Sequence, residues 1–104
     1  MKKIYVCSPL RGDYERNIEN AKRYSREVVF SGFLPITPHI YFTQFMYDSI
    51  PMERRLGLYM GLELLKLADE LWVFGEVISE GMSQEIELAK ELNIPIYYKE
   101  ILQK

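Results

Sequence analysis

Four short apolar runs, "KIYVCS" (3–8), "FLPITP" (33–38), "ELWVFG" (70–75) and "IPIYYK" (94–99), alternate with stretches of helical periodicity. Each run is too short for a core helix and has turn-forming residues beside it, so each reads as a strand. The intervening stripes have helical spacing. Between Asp13 and Phe30 they are Ile18, Ala21, Ser25, Val28 and Val29, with Asp13 as N-cap and Gly32 as stop. Between Met52 and Ala68 they are Leu56, Met60, Leu64 and Leu67, and between Gly81 and Leu92 they are Met82, Ile86, Ala89 and Leu92. The aromatic segment around residues 39–55 fits either a short helix or an ordered loop. Near-continuous apolar strands separated by helices demand a parallel sheet with helices on both faces, because an uncovered parallel sheet would leave apolar surface in water. With right-handed crossovers the expected fold is an α/β protein, a small flavodoxin-like or Rossmann-like sheet of four or five strands. The whole span, 1–104, reads as a single domain.

The bulk numbers narrow the function. Of 104 residues, 48% are hydrophobic and 27% charged, a globular balance. A net charge of −2 gives no reason to expect nucleic acid or a membrane surface as partner. No apolar run approaches the roughly 20 residues of a spanning helix. The opening "MKKIYVCSPLRGD" has too short an apolar stretch for a secretion signal, interrupted by Arg11 and Asp13, and reads as the first strand. One cysteine, Cys7, excludes an internal disulfide, and the expected location is the cytoplasm. With one histidine and one cysteine a zinc site is not expected, nor is any other metal or cofactor. Eight tyrosines and five phenylalanines imply a well-filled core, with rings to spare for a flat ligand or a subunit contact.

Ligands of such sheets bind beyond the carboxyl ends of the strands. Three junctions gather there: "CSPLRGD", "TPHIY" and "GEVISEGMSQE". In the first, Ser8, Arg11 and Gly12 can receive an anion, through a helix N-terminus and a bidentate guanidinium; a plain turn with a solvated arginine fits as well. In the second, His39 fits either a ligand contact or a structural bond to backbone. In the third, Glu85 follows Met82 by three and precedes Ala89 by four, close to the buried stripe, whereas Glu87 turns outward. Glu85 can serve the helix macrodipole or face the crevice, and a carboxylate facing the crevice needs a partner or a task.

These junctions resemble the nucleoside 2-deoxyribosyltransferase-like superfamily over nearly the whole chain. In "SPLRGD", "DELWVFG" and "SEGMSQEIELAK" the chain looks most like a small bacterial and phage family of unknown function in that group. It is also similar to the 2′-deoxynucleoside 5′-monophosphate N-glycosidase branch. The most specific element is the Gly-x-x-x-Glu-x-x-x-Ala spacing, met by Gly81, Glu85 and Ala89. The resemblance implies that Glu85 is the nucleophile at the sugar anomeric carbon and that Tyr5 contacts it. It also implies that Arg11 and Ser79 hold a phosphate, and that Asp69 opens the strand before the active loop. Ser8, Gly12, His39, Gly81 and Ser83 complete the expected binding set. Two positions depart from the pattern. Gly61 stands where the monophosphate enzymes have an aspartate that holds the sugar hydroxyl, and Pro9 where they have a phosphate-loop serine. The nearest acid, Glu63, lies about 200° further around a helix.

The expected function is therefore a nucleotide or nucleoside N-glycosidase or (deoxy)ribosyltransferase, with the carboxylate logic of a retaining glycosidase. The alternative is a non-catalytic nucleotide-binding sensor or sequestering protein with the same crevice. The proton for the departing base would come from Glu63, His39 or a partner subunit. A homodimer or higher homo-oligomer is expected from the apolar density of Tyr41, Phe42, Phe45, Met46, Tyr47 and Met52.

Overall fold

A computed structural model of the chain describes residues 1–99, so the last five residues of the expected 1–104 domain lie outside the described part. Strand β1 (Lys3–Cys7) leads to helix α1 (Tyr14–Phe30) and strand β2 (Leu34–Ile36). Next come a single-turn helix α2 (Pro38–Tyr41), a 3-10 turn (Phe42–Gln44) and helix α3 (Pro51–Leu65). Strand β3 (Glu70–Phe74), helix α4 (Glu80–Glu91) and strand β4 (Ile96–Lys99) follow. The ambiguous segment is thus both of the things it could have been, a short helix and then an ordered loop into α3.

All four strands are parallel, in the order β2-β1-β3-β4, which is the small flavodoxin-like arrangement. From β1 the chain crosses to one side and then returns past it to the other. The β1/β3 boundary, where Cys7 pairs with Val73, is therefore the topological switch point.

Strand pleating divides the core into two layers. Ile4, Val6, Trp72 and Phe74 pack on Tyr24 and Val28 of α1, with Tyr24 stacked on Phe74 at 4.5 Å. Tyr5, Cys7, Leu71 and Val73 point the other way, onto Leu65 of α3 and Met82, Ile86 and Ala89 of α4. The helices cover both faces, as the apolar strands require.

Two expected stripes differ. In α1, Val28 is fully buried but Val29 is exposed, because consecutive helical residues lie 100° apart. Of the stripe expected between Met52 and Ala68, Leu64 packs half-buried on the core and Met60 is half-buried, whereas Leu56, and Leu67 just beyond α3, are exposed; the fully buried positions are Gly61 and Leu65. That helix is apolar on all sides, so spacing could not fix its phase; a glycine takes the close contact. In α4 the expected stripe holds at Met82, Ile86 and Ala89, while Leu92 is exposed.

Caps set the ends that matter for the site. Asp13 Oδ1 accepts from the Arg16 N–H at the start of α1. Ser79 Oγ accepts from the Met82 N–H at the start of α4, so this helix begins at Glu80, one residue before Gly81. Gly75, with φ +96°, turns the chain out of β3 against Pro9, a backbone conformation that a side chain would strain. Asp69 Oδ2 accepts from the Lys3 N–H at 2.7 Å, fastening the entry of β3 to the start of β1.

Candidate active site

A cavity of about 280 Å³ opens at the switch point, between the ends of β1 and β3, α3, the α2–α3 segment and the first turn of α4. Of the expected site residues, Tyr5, Ser8, Arg11, His39, Ser79, Gly81 and Glu85 line it. Gly12 and Ser83 are exposed and lie outside the lining: Gly12 serves the turn into α1 with φ +100°, and Ser83 faces away on α4.

Glu85 is the centre of the arrangement. It comes from the second turn of α4 and is 5% exposed, as the spacing from Met82 and Ala89 requires. The Tyr5 hydroxyl donates to Glu85 Oε2 at 2.5 Å, while Oε1 has no partner among the described residues. Burial pushes the carboxyl up to about 7, against the opposing pull of the Tyr5 and Cys7 side chains. Desolvation thus outweighs the hydrogen bond from Tyr5, and near neutral pH the group is about half ionised. Burial, reinforced by the Glu85 charge, pushes the Tyr5 phenol well up, so Tyr5 is a permanent donor. Burial and the same carboxylate also push up the Cys7 thiol, which stays protonated 4.0 Å from the Met82 carbonyl.

Ser8, 1% exposed, is the second lining residue with an unsatisfied buried oxygen, its Oγ. Buried polar atoms without partners are rare in folded proteins and costly by about 1–3 kcal/mol. Here both, Ser8 Oγ and Glu85 Oε1, belong to residues that line the cavity.

His39 Nε2–H donates to the Ser8 carbonyl at 2.8 Å, which fixes the tautomer and ties α2 to the end of β1. Burial lowers its pKa, so the ring is neutral at pH 7. Glu63 is exposed, paired with Lys66 at 2.7 Å, and outside the cavity lining, which removes it as a proton source. Gly61 lines the cavity and explains its own identity: a Cβ there would stand 3.2 Å from Tyr5 Oη and 3.9 Å from Pro38. Any side chain at this position would ask the Tyr5 hydroxyl that holds Glu85 to give by a few tenths of an ångström.

Several lining residues were missed by sequence reasoning. Phe42, Met46 and Tyr47 form the wall between α2 and α3, and Gln84 and Leu58 narrow the opening. Asp48 reaches Arg11, Oδ2 to Nε, at 3.5 Å. The "YDSIP" stretch reads as a turn, and nothing in its spacing directs Asp48 inward.

A parallel sheet with a partly ionised, tyrosine-held glutamate at its switch point defines an α/β protein with a ligand crevice. The chain belongs to the family described as "Domain of unknown function (DUF7768)", whose model matches residues 2–99. No curated protein matches. Among solved structures, the 2-deoxyribosyltransferase of the psychrotolerant bacterium Bacillus psychrosaccharolyticus is similar, with a TM-score of 0.73 and 19% identity. The likeness covers 97% of this chain and 77% of that one. At that identity it shows the fold: a nucleoside deoxyribosyltransferase-like sheet, here of four strands among the described residues.

Proposed function

We propose that the protein cleaves or transfers the N-glycosidic bond of a nucleoside or nucleotide, with Glu85 as nucleophile at the anomeric carbon. The observation that carries this reading is the split environment of one carboxylate: Oε2 held by Tyr5 at 2.5 Å, Oε1 buried and unpartnered in a cavity wall. The bond to Tyr5 orients the group; the free oxygen is the one available for attack. As the bond to the base breaks, the sugar becomes oxocarbenium-like, and a carboxylate below the ring stabilises that charge and forms a glycosyl ester. Water then releases the sugar in a hydrolase, and a second base receives it in a transferase. Ser8, Arg11 and Ser79 hold the 5′ end of the ligand, with His39 fixing the Ser8 carbonyl from behind.

A second reading, a nucleotide-binding protein without turnover, has one observation in its favour. At Gly61 the wall beside Tyr5 offers no acid for the sugar hydroxyls. Incubating the protein with nucleosides and nucleotides and watching for free base separates the two. Release by the wild type, lost by at least about 10³-fold in Glu85→Gln, supports the nucleophile, since the amide keeps the shape and cannot stabilise the cation. Equal release from an equally stable Glu85→Gln protein sinks the assignment.

The same reading includes a homo-oligomer, in which a second copy covers the exposed Tyr41, Phe45, Met52, Leu56 and Tyr59 next to the cavity mouth. It also places the protein in the cytoplasm, where the buried thiol of Cys7 stays reduced.

A further inference from the structure

We propose that Asp48 sets the charge selectivity of the cavity, engaging Arg11 so that the site accepts uncharged nucleosides and disfavours their 5′-phosphates. The inference rests on the N-glycoside reading of the cavity and narrows its substrate class. Arg11 is the one cation the first junction contributes, and it already has a carboxylate beside it: Asp48 Oδ2 lies 3.5 Å from its Nε. The carboxylate is the fixed partner, its side chain 22% exposed against 63% for the arginine. Asp48 also stands close enough to raise the affinity of Tyr14 and His39 for their protons, so its charge reaches into the cavity from beside both.

The rest of the lining points the same way. Two guanidiniums, Arg11 and Arg54, face four carboxyl groups, Asp48, Glu53, Glu80 and Glu85. The imidazole of His39 adds no charge at neutral pH, because burial lowers it. Two features of the junctions weigh against a phosphate. Pro9 brings neither hydroxyl nor N–H to the first junction. Glu80 already sits in the first turn of α4, where the helix N-terminus would favour an anion. A phosphate dianion, which at neutral pH can only accept hydrogen bonds, would have to displace Asp48 or lie beside it. A 5′-hydroxyl can do what phosphate cannot: donate to Asp48 while accepting from Arg11.

The test is equilibrium binding, by calorimetry, of the four 2′-deoxynucleosides and their 5′-monophosphates to the wild type and to Asp48→Asn. The wild type should bind the nucleosides at least about tenfold more tightly than the matched monophosphates, and Asp48→Asn should move that ratio toward the monophosphates by about tenfold or more. Adding Arg11→Gln to Asp48→Asn should abolish the gain, because the freed guanidinium is what the phosphate uses. A wild type that prefers monophosphates, a ratio unmoved by Asp48→Asn, or binding of neither class overturns the proposal. Base release is read separately. A shifted ratio without base release keeps the selectivity and removes the N-glycosidase reading, whereas base release with an unmoved ratio removes only the role of Asp48.

Discussion

Burying Glu85 costs the fold stability, and the sign of that cost can be measured. Its folded pKa of about 7 lies above the ordinary 4.5, so the folded protein holds this proton more tightly than the unfolded chain. Below about pH 4.5 both states are protonated and nothing is lost. Between 4.5 and 7 the unfolded chain ionises first and stability falls; above 7 the full cost, about 3 kcal/mol, persists. Glu85→Gln should therefore raise the melting temperature by several degrees at pH 8 and much less at pH 5, while abolishing base release. A structural glutamate would show the opposite, with full base release retained in Glu85→Gln. In the proposed reaction the ionised form is the nucleophile, so kcat/KM should rise with pH through an acid limb near 7, read from initial rates at low substrate between pH 5 and 9. A flat profile across that range would exclude Glu85 as the titrating group. This residue was legible because its neighbours are periodic: Met82 and Ala89 fix the face it must share. Asp48 was not, since a turn between Tyr47 and Pro51 carries no periodic phase.

The helix α3 shows what periodicity cannot supply. Apolar around its whole circumference, it offered Leu56 and Leu67 as part of a core stripe, yet its fully buried positions are Gly61 and Leu65. A glycine has no hydrophobicity to reveal it, and only the tertiary contact with Tyr5 and Pro38 explains the choice. Two substitutions separate helix propensity from that contact. A Cβ at Gly57 meets nothing within 4 Å, so Gly57→Ala should stabilise the protein by roughly 0.5–1 kcal/mol through propensity alone. Gly61→Ala gains the same propensity but presses on Tyr5 Oη from 3.2 Å, so it should lower base release by about tenfold or more with little net change in melting temperature. Thermal melts and initial rates on the two variants give both numbers, and equal rates in the two would remove the positioning role of the Gly61–Tyr5 contact.

Taken whole, the molecule leaves a good deal of apolar surface on one side. Tyr41, Phe45, Tyr47, Met52, Leu56 and Tyr59 are all exposed, and Tyr41 and Phe45 stack edge-on at 5.2 Å, with Phe42 between them. Patches of this kind on soluble proteins mark contact surfaces. Light scattering at micromolar concentration should give at least a dimer mass, and Leu56→Glu should shift it to the monomer; a monomeric wild type would refute the assembly. The Tyr5–Glu85 bond has a separate consequence. Its partners are 80 residues apart, on the first strand and the last helix, and no local segment can form it alone. Contacts so distant in sequence close late, after the loops between them have been ordered. On a ribosome the chain would be chemically inert until α4 has emerged and docked. In a refolding experiment the appearance of base-releasing activity should follow the final cooperative phase, never an early one, so the reaction itself times the completion of the fold.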